Sequence, residues 1–205
     1  MRRALLGLAA LVAIGMTQPV AAEEQVATFA GGCFWCTEAD FEKVPGVLSA
    51  VSGYIGGTKA DPTYEEVSWG GTGHAEAVEI RYDPAKVTYA QLLDVFWHHV
   101  DFEDSGGQFC DRGDQYRTEI FYHGDEQPRL AEDSKTALDQ SHRFKPVVTK
   151  IVEAGPFYQA EGYHQDYYKK NPVRYKFYRW NCGRDQRLAE LWGTPMPQAE
   201  VAAKP

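Results

Sequence analysis

The sequence predicts a single α/β domain, built as an α+β two-layer sandwich with long loops. Three observations support this prediction. Predicted strands alternate with helices along most of the chain, no internal repeat is present, and no linker divides the chain into two parts. Strands and helices in such an order typically pack as a sheet covered by helices. A chain of 205 residues is also long enough to bury a hydrophobic core.

The predicted elements follow the order β-α-β-loop-β-α-loop-β-α-β-α. The clearest strand is AEAVEIRYD at residues 75–83, where apolar and polar side chains alternate. The clearest helix lies within residues 84–100, where Thr88 is a suitable N-cap ahead of an apolar stripe. The other predicted strands are residues 25–30, 47–57, 115–123 and 147–155, and the other predicted helices are residues 33–44, 125–142, 159–171 and 173–193.

Glycine and proline residues separate these elements. The sequence DPTYEEVSWGGTGH at residues 61–74 and the sequence DFEDSGGQFCDRGD at residues 101–114 are predicted to be long loops. Pro45 and Gly46 are expected to end the first helix. Pro172 is expected to stop the short helix that precedes it, because proline cannot continue a helix without losing a hydrogen bond.

Residues 1–22 have the layout of a secretory signal peptide. The basic start MRR is followed by the apolar run ALLGLAALVAIGM, and small residues precede a cleavage site after Ala22. The apolar run is too short to span a bilayer comfortably, and an uncleaved anchor is the alternative. We therefore expect an exported, periplasmic protein with a catalytic domain at residues 23–195 and a flexible tail at residues 196–205.

The charge of the chain excludes some classes of partner. Its formal net charge is −8, from 21 basic and 29 acidic residues, and no basic stripe is visible. Nucleic acids and anionic membranes are therefore poor partners. We expect no membrane association after signal cleavage, and we expect a monomer.

The chain has four cysteines, at Cys33, Cys36, Cys110 and Cys182. Cys33 follows two glycines and opens a predicted helix, where the helix dipole favours a nucleophilic thiolate. Zinc would need a second ligand pair at similar spacing, which the sequence lacks, so we expect no metal site. A thioredoxin-like redox pair is the next alternative. However, Phe34 and Trp35 would form a bulky apolar wall beside the sulfur, which suits an apolar substrate group such as a methyl.

A thiol that attacks a centre with a poor leaving oxygen needs a proton donor. The sequence GGTGHAEAVEI offers His74 and Glu76 for this role. Glu76 begins an alternating strand directly after a glycine loop. A solvated carboxylate at the end of a strand is the ordinary interpretation of such a residue, and only its companions favour a catalytic one.

Six motifs together resemble the peptide methionine sulfoxide reductase A family. In order they are GGCFWCTEADFEKVPGV, GYIGGTKADPTYEEV, GTGHAEAVEIRYDP, LLDVFWHHVD, DRGDQYRTEIFY and YHQDYYKKNP, and the resemblance covers roughly residues 26–172. The resemblance implies that Cys33 is the nucleophile, that Phe34 and Trp35 hold the S-methyl group of the substrate, and that Glu76 is the acid. It also implies three assisting residues, namely Tyr64, Tyr116 and Asp111.

The resemblance further implies a ferredoxin-like core and a reaction. The family reduces methionine S-sulfoxide, free or in proteins, and so repairs oxidised proteins. Cys33 would become a sulfenic acid. An intramolecular disulfide would then replace the sulfenic acid, and a thioredoxin-like donor would reduce that disulfide to restore the free thiol. No metal or organic cofactor is implied.

The sequence departs from the family after Asn171-Pro172, where the usual glycine-rich tail with its cysteine is missing. Three thiols could resolve the sulfenic acid: Cys182, Cys36 or an external thiol. A structural disulfide between Cys110 and Cys182 would leave Cys36 as the only internal candidate. The rival functions are a thiol–disulfide oxidoreductase and a binding protein with an inert C-x-x-C pair.

Overall fold

The computed structural model describes residues 23–193. The predicted signal peptide and the predicted tail at residues 196–205 lie outside these described residues. The strands are β1 Gln25–Gly31, β2 Val47–Ile55, β3 Ala75–Tyr82, β4 Gly107–Gln108, β5 Asp111–Arg112, β6 Thr118–Tyr122, β7 Lys150–Glu153 and β8 Tyr158–Gln159. The helices are α1 Phe34–Phe41, α2 Tyr64–Trp69, α3 Tyr89–His99, α4 Gln127–Gln140, α5 Tyr167–Lys170, α6 Pro172–Asn181 and α7 Arg184–Trp192, and a 3-10 turn covers Asp114–Tyr116.

A six-stranded sheet with the order β7-β6-β1-β3-β2-β8 forms the centre of the fold. Only β6 and β7 pair in parallel, and the other neighbours are antiparallel. In each of the units β1-α1-β2 and β3-α3-β6, the two strands run parallel to each other. One strand of the other unit lies between them in the sheet. This is the split βαβ arrangement of a ferredoxin-like core, so the predicted fold class is confirmed.

Aromatic rings join this sheet to the helices that cover one face. Phe29 on β1 stacks on Phe41 of α1 at 5.2 Å between ring centroids, and on Phe96 of α3 at 5.1 Å. All three side chains are almost completely buried. Removing them from water supplies on the order of 2–3 kcal/mol each, so they fix both helices on the sheet.

Several local signals act as the sequence predicts. Thr88 caps α3, since its hydroxyl accepts a hydrogen bond from the Gln91 N–H at 3.2 Å. The alternating sequence from residue 75 forms β3, which lies between β1 and β2. Residues 173–193 are helical, as α6 and α7, with a break at Gly183, where φ is +68°.

Two local predictions are wrong. Residues 61–74 are not entirely loop, because Thr63 and Glu66 form a capping box that starts α2. The helix predicted over residues 159–171 is much shorter, because only Tyr167–Lys170 form α5; that helix does end before Pro172, as expected, and Pro172 then occupies the first turn of α6. Proline is well suited to that position, because the first N–H groups of a helix have no partner inside it.

Across residues 23–193, every helix is too short or too polar to span a lipid bilayer.

Candidate active site

Cys33 lies where β1 turns into α1. Gly32 has a φ of +80°, and a Cβ at this position would lie 2.5 Å from the Cβ of Gln108. Only glycine fits both the left-handed backbone and this close approach. The turn places Cys33 at the N-cap of α1, with 6% of its surface exposed. The sequence prediction of a cysteine that opens a helix after a glycine turn is therefore confirmed.

Glu76 lies beside this helix start. It is the second residue of β3, it is 2% exposed, and its Oε2 accepts the Phe34 N–H at 3.0 Å. Burial raises the pKa of Glu76 to about 8, the Phe34 hydrogen bond opposes this, and the charge of Asp111 adds to the rise. The carboxyl group is therefore mostly protonated at neutral pH. It is a buried acid next to the residue that carries the thiol.

Cys33 and Cys36 both have free thiols, both are buried, and the two thiols hydrogen-bond to each other. Burial raises the pKa of Cys33, and hydrogen bonding to Cys36 adds to the effect. The pKa of Cys36 is lowered to about 7, mainly by the hydrogen bond from Cys33. Burial opposes this change, and the positive charges of Arg184 and Arg179 add to it. Two adjacent buried thiols cannot both ionise easily, so the pair shares one negative charge near neutral pH.

The distribution of negative charge between the two thiols differs from the one expected from the sequence. The helix dipole predicts a thiolate on Cys33. In the structure the first N–H of α1, that of Phe34, is already used by Glu76. Burial then outweighs the dipole, so the pKa of Cys33 lies above its ordinary value and the resting negative charge belongs to Cys36.

Three other candidates from the sequence converge on the same space. Tyr64 and Tyr116 are half-buried, burial raises the pKa of each, and both interact with the charges of Glu76 and Cys33. Their phenols therefore remain protonated and can donate hydrogen bonds. Burial also raises the pKa of Asp111, which acts on both Cys33 and Glu76.

The aromatic residues between the two cysteines point to different surroundings. Phe34 is 1% exposed and packs against Tyr54 and His164, with centroids 5.9 Å and 4.9 Å away. Trp35 is half-buried and stacks on Tyr167 at 3.7 Å with nearly parallel rings. Phe34 is therefore largely part of the core, and Trp35 forms the more open part of the wall beside the thiols.

His164 is a site residue that the sequence analysis did not single out. Its Nδ1 accepts the indole N–H of Trp35 at 3.0 Å, and its ring lies 4.4 Å from that of Tyr64. Burial lowers the pKa of His164, so the neutral ring carries its proton on Nε2. The motif YHQDYYKKNP contains this residue, but its position in space is not visible from the sequence.

The segment that carries His164 is tied to α1 by Glu38. This buried carboxylate accepts the Asp166 N–H at 2.7 Å and the Ser52 hydroxyl at 2.7 Å. Because Glu38 and Trp35 lie on the same helix, one set of contacts fixes the wall relative to the thiols. The wall therefore consists of residues more than a hundred positions apart in the chain.

Cys110 and Cys182 form a disulfide in this structure, with their Cα atoms 4.8 Å apart. The pairing considered from the sequence is thus present. Cys182 has no free thiol in this state, and Cys36 is the free thiol in contact with Cys33. Which cysteine resolves the sulfenic acid stays a prediction.

Comparison with known proteins agrees with this site. Residues 25–196 match the family model described as peptide methionine sulfoxide reductase. Peptide methionine sulfoxide reductase MsrA of Bacillus licheniformis is 54% identical over 175 residues, which cover 85% of this chain and 97% of that protein.

Two solved structures are also similar. The structure of Mxr1 from Saccharomyces cerevisiae in reduced form has a TM-score of 0.68 and 31% identity, and the alignment covers 73% of this chain and 87% of that one. Methionine sulfoxide reductase A of Corynebacterium diphtheriae has a TM-score of 0.67 and 32% identity, over 76% of this chain and 77% of that one. The fold, the site and these matches together show that the chain belongs to the peptide methionine sulfoxide reductase family.

Proposed function

We propose that Cys33 and Glu76 carry out the reaction of this family, the reduction of methionine sulfoxide to methionine. The observation that carries the assignment is the position of Glu76. It is a buried carboxyl group with a pKa of about 8, hydrogen-bonded to the residue that follows Cys33. The protein thereby repairs methionine residues that have been oxidised.

The chemistry requires both residues. A sulfoxide sulfur is a weak electrophile, and its oxygen leaves only when it is protonated. Glu76 donates this proton from its neutral form. Cys33 transfers its own proton to Cys36 through their hydrogen bond and attacks the sulfur as a thiolate. This attack forms a bond between the Cys33 sulfur and the substrate sulfur. The sulfur–oxygen bond of the substrate then breaks as the protonated oxygen passes to the Cys33 sulfur, the sulfur–sulfur bond breaks as methionine leaves with its electron pair, and Cys33 becomes a sulfenic acid.

Tyr64, Tyr116 and Trp35 orient the substrate in this proposal. The two phenols are donors placed beside Glu76 and can hydrogen-bond to the sulfoxide oxygen. Trp35 offers a half-buried ring for the methyl group, and Phe34 supports it from the core. We expect reduction of the S epimer of methionine sulfoxide, because the family acts on that epimer.

Cys36 resolves the sulfenic acid in this proposal. It is the free thiol that touches Cys33, and its lowered pKa provides a thiolate near neutral pH. It attacks the Cys33 sulfur, a disulfide forms, and the hydroxide that leaves takes a proton to become water. A thioredoxin-like dithiol protein then supplies the two electrons that reduce this disulfide.

The test is a single turnover without external reductant, followed by mass spectrometry of each cysteine. Wild type should form methionine and a Cys33–Cys36 disulfide. The Cys36→Ser variant should form the same single equivalent of methionine and leave a sulfenic acid on Cys33 that dimedone traps. A disulfide between Cys33 and Cys182 in the wild type would overturn the role of Cys36 without affecting that of Cys33.

We also propose that the protein acts after export, in the periplasm, as a mature domain at residues 23–195. The signal-like sequence of residues 1–22 supports this. The Cys110–Cys182 disulfide is compatible with it, because reducing cytosols rarely preserve structural disulfides. Cell fractionation and N-terminal sequencing should find a periplasmic chain that begins at Glu23; a cytosolic, uncleaved chain would contradict the proposal.

A further inference from the structure

Arg184 is a buried arginine attached to the turn that precedes Cys33. Only 2% of its surface is exposed. Its Nη2 donates to the carbonyl of Gly31 at 3.0 Å, and its Nη1 donates to the carbonyl of His99 at 2.8 Å. Gly31 ends β1, two residues before Cys33. The guanidinium is therefore attached to the same turn that positions the nucleophile.

A buried guanidinium is normally paired with a carboxylate, because an unpaired buried charge is costly. Among residues 23–193, no carboxylate lies within ion-pair distance of Arg184. Arg179 shows the usual arrangement, with bonds of 2.9 Å to Asp40 and 2.7 Å to Asp185. The positive charge of Arg184 is thus left available to other groups nearby.

The backbone around Arg184 is adapted to hold it. Phe109 has a φ of +55°, a left-handed conformation that is unfavourable for a side chain of this size. Its ring lies over the guanidinium at 4.3 Å. Gly32 leaves room on the other side, since a Cβ there would lie 3.3 Å from Nη2 of Arg184. Strain of this kind commonly marks a functional position.

Cys36 is the group of the thiol pair that benefits from this charge. The charged and titratable groups that interact with Cys36 are one thiol, two carboxyl groups, two tyrosines and two arginines. They are Cys33, Asp40, Glu76, Tyr175, Tyr178, Arg179 and Arg184. Asp40 and Asp185 already offset the charge of Arg179. Arg184 interacts with Asp40 and Asp111 only beyond ion-pair distance, so it is the less compensated cation that acts on Cys36.

We propose that Arg184 is a positioning residue for the second step of the reaction. Its fixed charge stabilises the Cys36 thiolate that attacks the oxidised Cys33, and its hydrogen bond to Gly31 holds the turn that presents Cys33. The proposal rests on the proposed function. In that step a sulfur–sulfur bond forms between Cys36 and Cys33, the sulfur–oxygen bond of the sulfenic acid breaks, and hydroxide leaves and is protonated.

The experiment is the pH profile of disulfide formation after one turnover, read by quenching with an alkylating reagent and mass spectrometry. The wild-type rate should rise with pH as Cys36 loses its proton and then level off, and the midpoint of that rise is the reference for the variants. In Arg184→Gln this midpoint should rise by about one pH unit or more, because the charge is lost. In Arg184→Lys, which keeps a positive charge but loses the forked hydrogen bonding and the stacking, the midpoint should lie between those of wild type and Arg184→Gln.

Arg187→Gln is the matched control. Arg187 lies one turn further along α7 and is paired with Asp101 at 2.6 Å and Glu103 at 3.1 Å. Loss of Arg187 removes one positive charge from the same helix without changing the contacts of the thiol pair. The pH midpoint of disulfide formation in Arg187→Gln should therefore match wild type. An unchanged midpoint in Arg184→Gln, or an equal shift in Arg187→Gln, would overturn the proposal.

A second measurement decides the matter if Arg184→Gln does not fold. In Cys33→Ser, alkylation of Cys36 should titrate below the ordinary thiol pKa of about 8.5. Titration at or above that value would contradict a stabilising charge behind Cys36. Failure of wild type to form the first equivalent of methionine would contradict the proposed function itself, so the two proposals fail in different assays.

Discussion

Cys33 and Cys36 lie buried and reduced at the start of α1, whereas Cys110 and Cys182 are joined in a disulfide nearer the surface. The first pair is three residues apart and shares its surroundings with Glu76. The second pair is separated by 72 residues and connects the loop before β5 to the junction between α6 and α7. The same side chain therefore serves two purposes in one chain.

The difference shows that environment decides what a cysteine does. In the proposed function, helix geometry, a buried acid and a nearby arginine make Cys33 and Cys36 a pair that exchanges protons and electrons. The Cys110–Cys182 disulfide instead brings Phe109, the residue before Cys110, into contact with Arg184, which lies two residues after Cys182. The proposed function assigns the reaction to the first pair, whereas the second pair holds Phe109 against Arg184.

The largest expected effect comes from removing the reactive sulfur. Cys33→Ser should form no methionine above background, because a serine hydroxyl is a poor nucleophile at neutral pH. Cys110→Ser, the control from the other pair, should still form one equivalent in a single turnover. Rapid quench and chromatography of the released methionine measure both. Activity in Cys33→Ser would remove the distinction between the two pairs.

Glu76→Gln should slow formation of the first methionine by about 10²–10⁴-fold, since the amide cannot donate an acidic proton. The wild-type rate should fall as the pH rises through about 8, where Glu76 loses its proton. This fall should be absent in the residual rate of the variant. Glu79→Gln, three residues along the same strand, is the control. A wild-type rate that continues to rise above pH 8 would contradict the assignment.

The same substitution should stabilise the fold at neutral pH. Folded Glu76 keeps its proton up to about pH 8, whereas its ordinary pKa is 4.5, so its contribution to the free energy of unfolding falls as the pH rises between these values. At pH 7 the loss is about 3 kcal/mol, and glutamine avoids it. Urea unfolding at pH 5 and pH 7 measures the gain, which should grow with pH. A variant less stable than wild type at pH 7 would argue against a buried, protonated acid.

The smallest expected effect on activity comes from opening the disulfide. Cys110→Ser should lower the free energy of unfolding by about 2–4 kcal/mol, because the closed loop is long. The rate of the first methionine should stay within about threefold of wild type, since neither Cys33 nor Glu76 changes its contacts. Unfolding of the wild type with and without strong reductant is the control. A much larger loss of that rate would mean that the two pairs are not separate in function.

Much of the fold and the reactive part of the site could be predicted from local patterns. Thr88 caps a helix with an apolar stripe, alternation marks β3, and two glycines place Cys33 at a helix start. These signals are local, because they depend on side chains only a few positions apart. The capping box at Thr63 is equally local, and it was hidden by the glycines and prolines around it.

The sequence by itself determined the order of the main strands and helices, the family and the positions of Cys33 and Glu76 at a helix start and a strand start. Only the tertiary structure decided which cysteines pair, where the negative charge of the thiols resides, and that Arg184 and His164 border the site. The physical reason is distance along the chain. Burial, hydrogen bonds and electrostatic shifts arise between segments that are far apart in sequence, and packing alone brings them together.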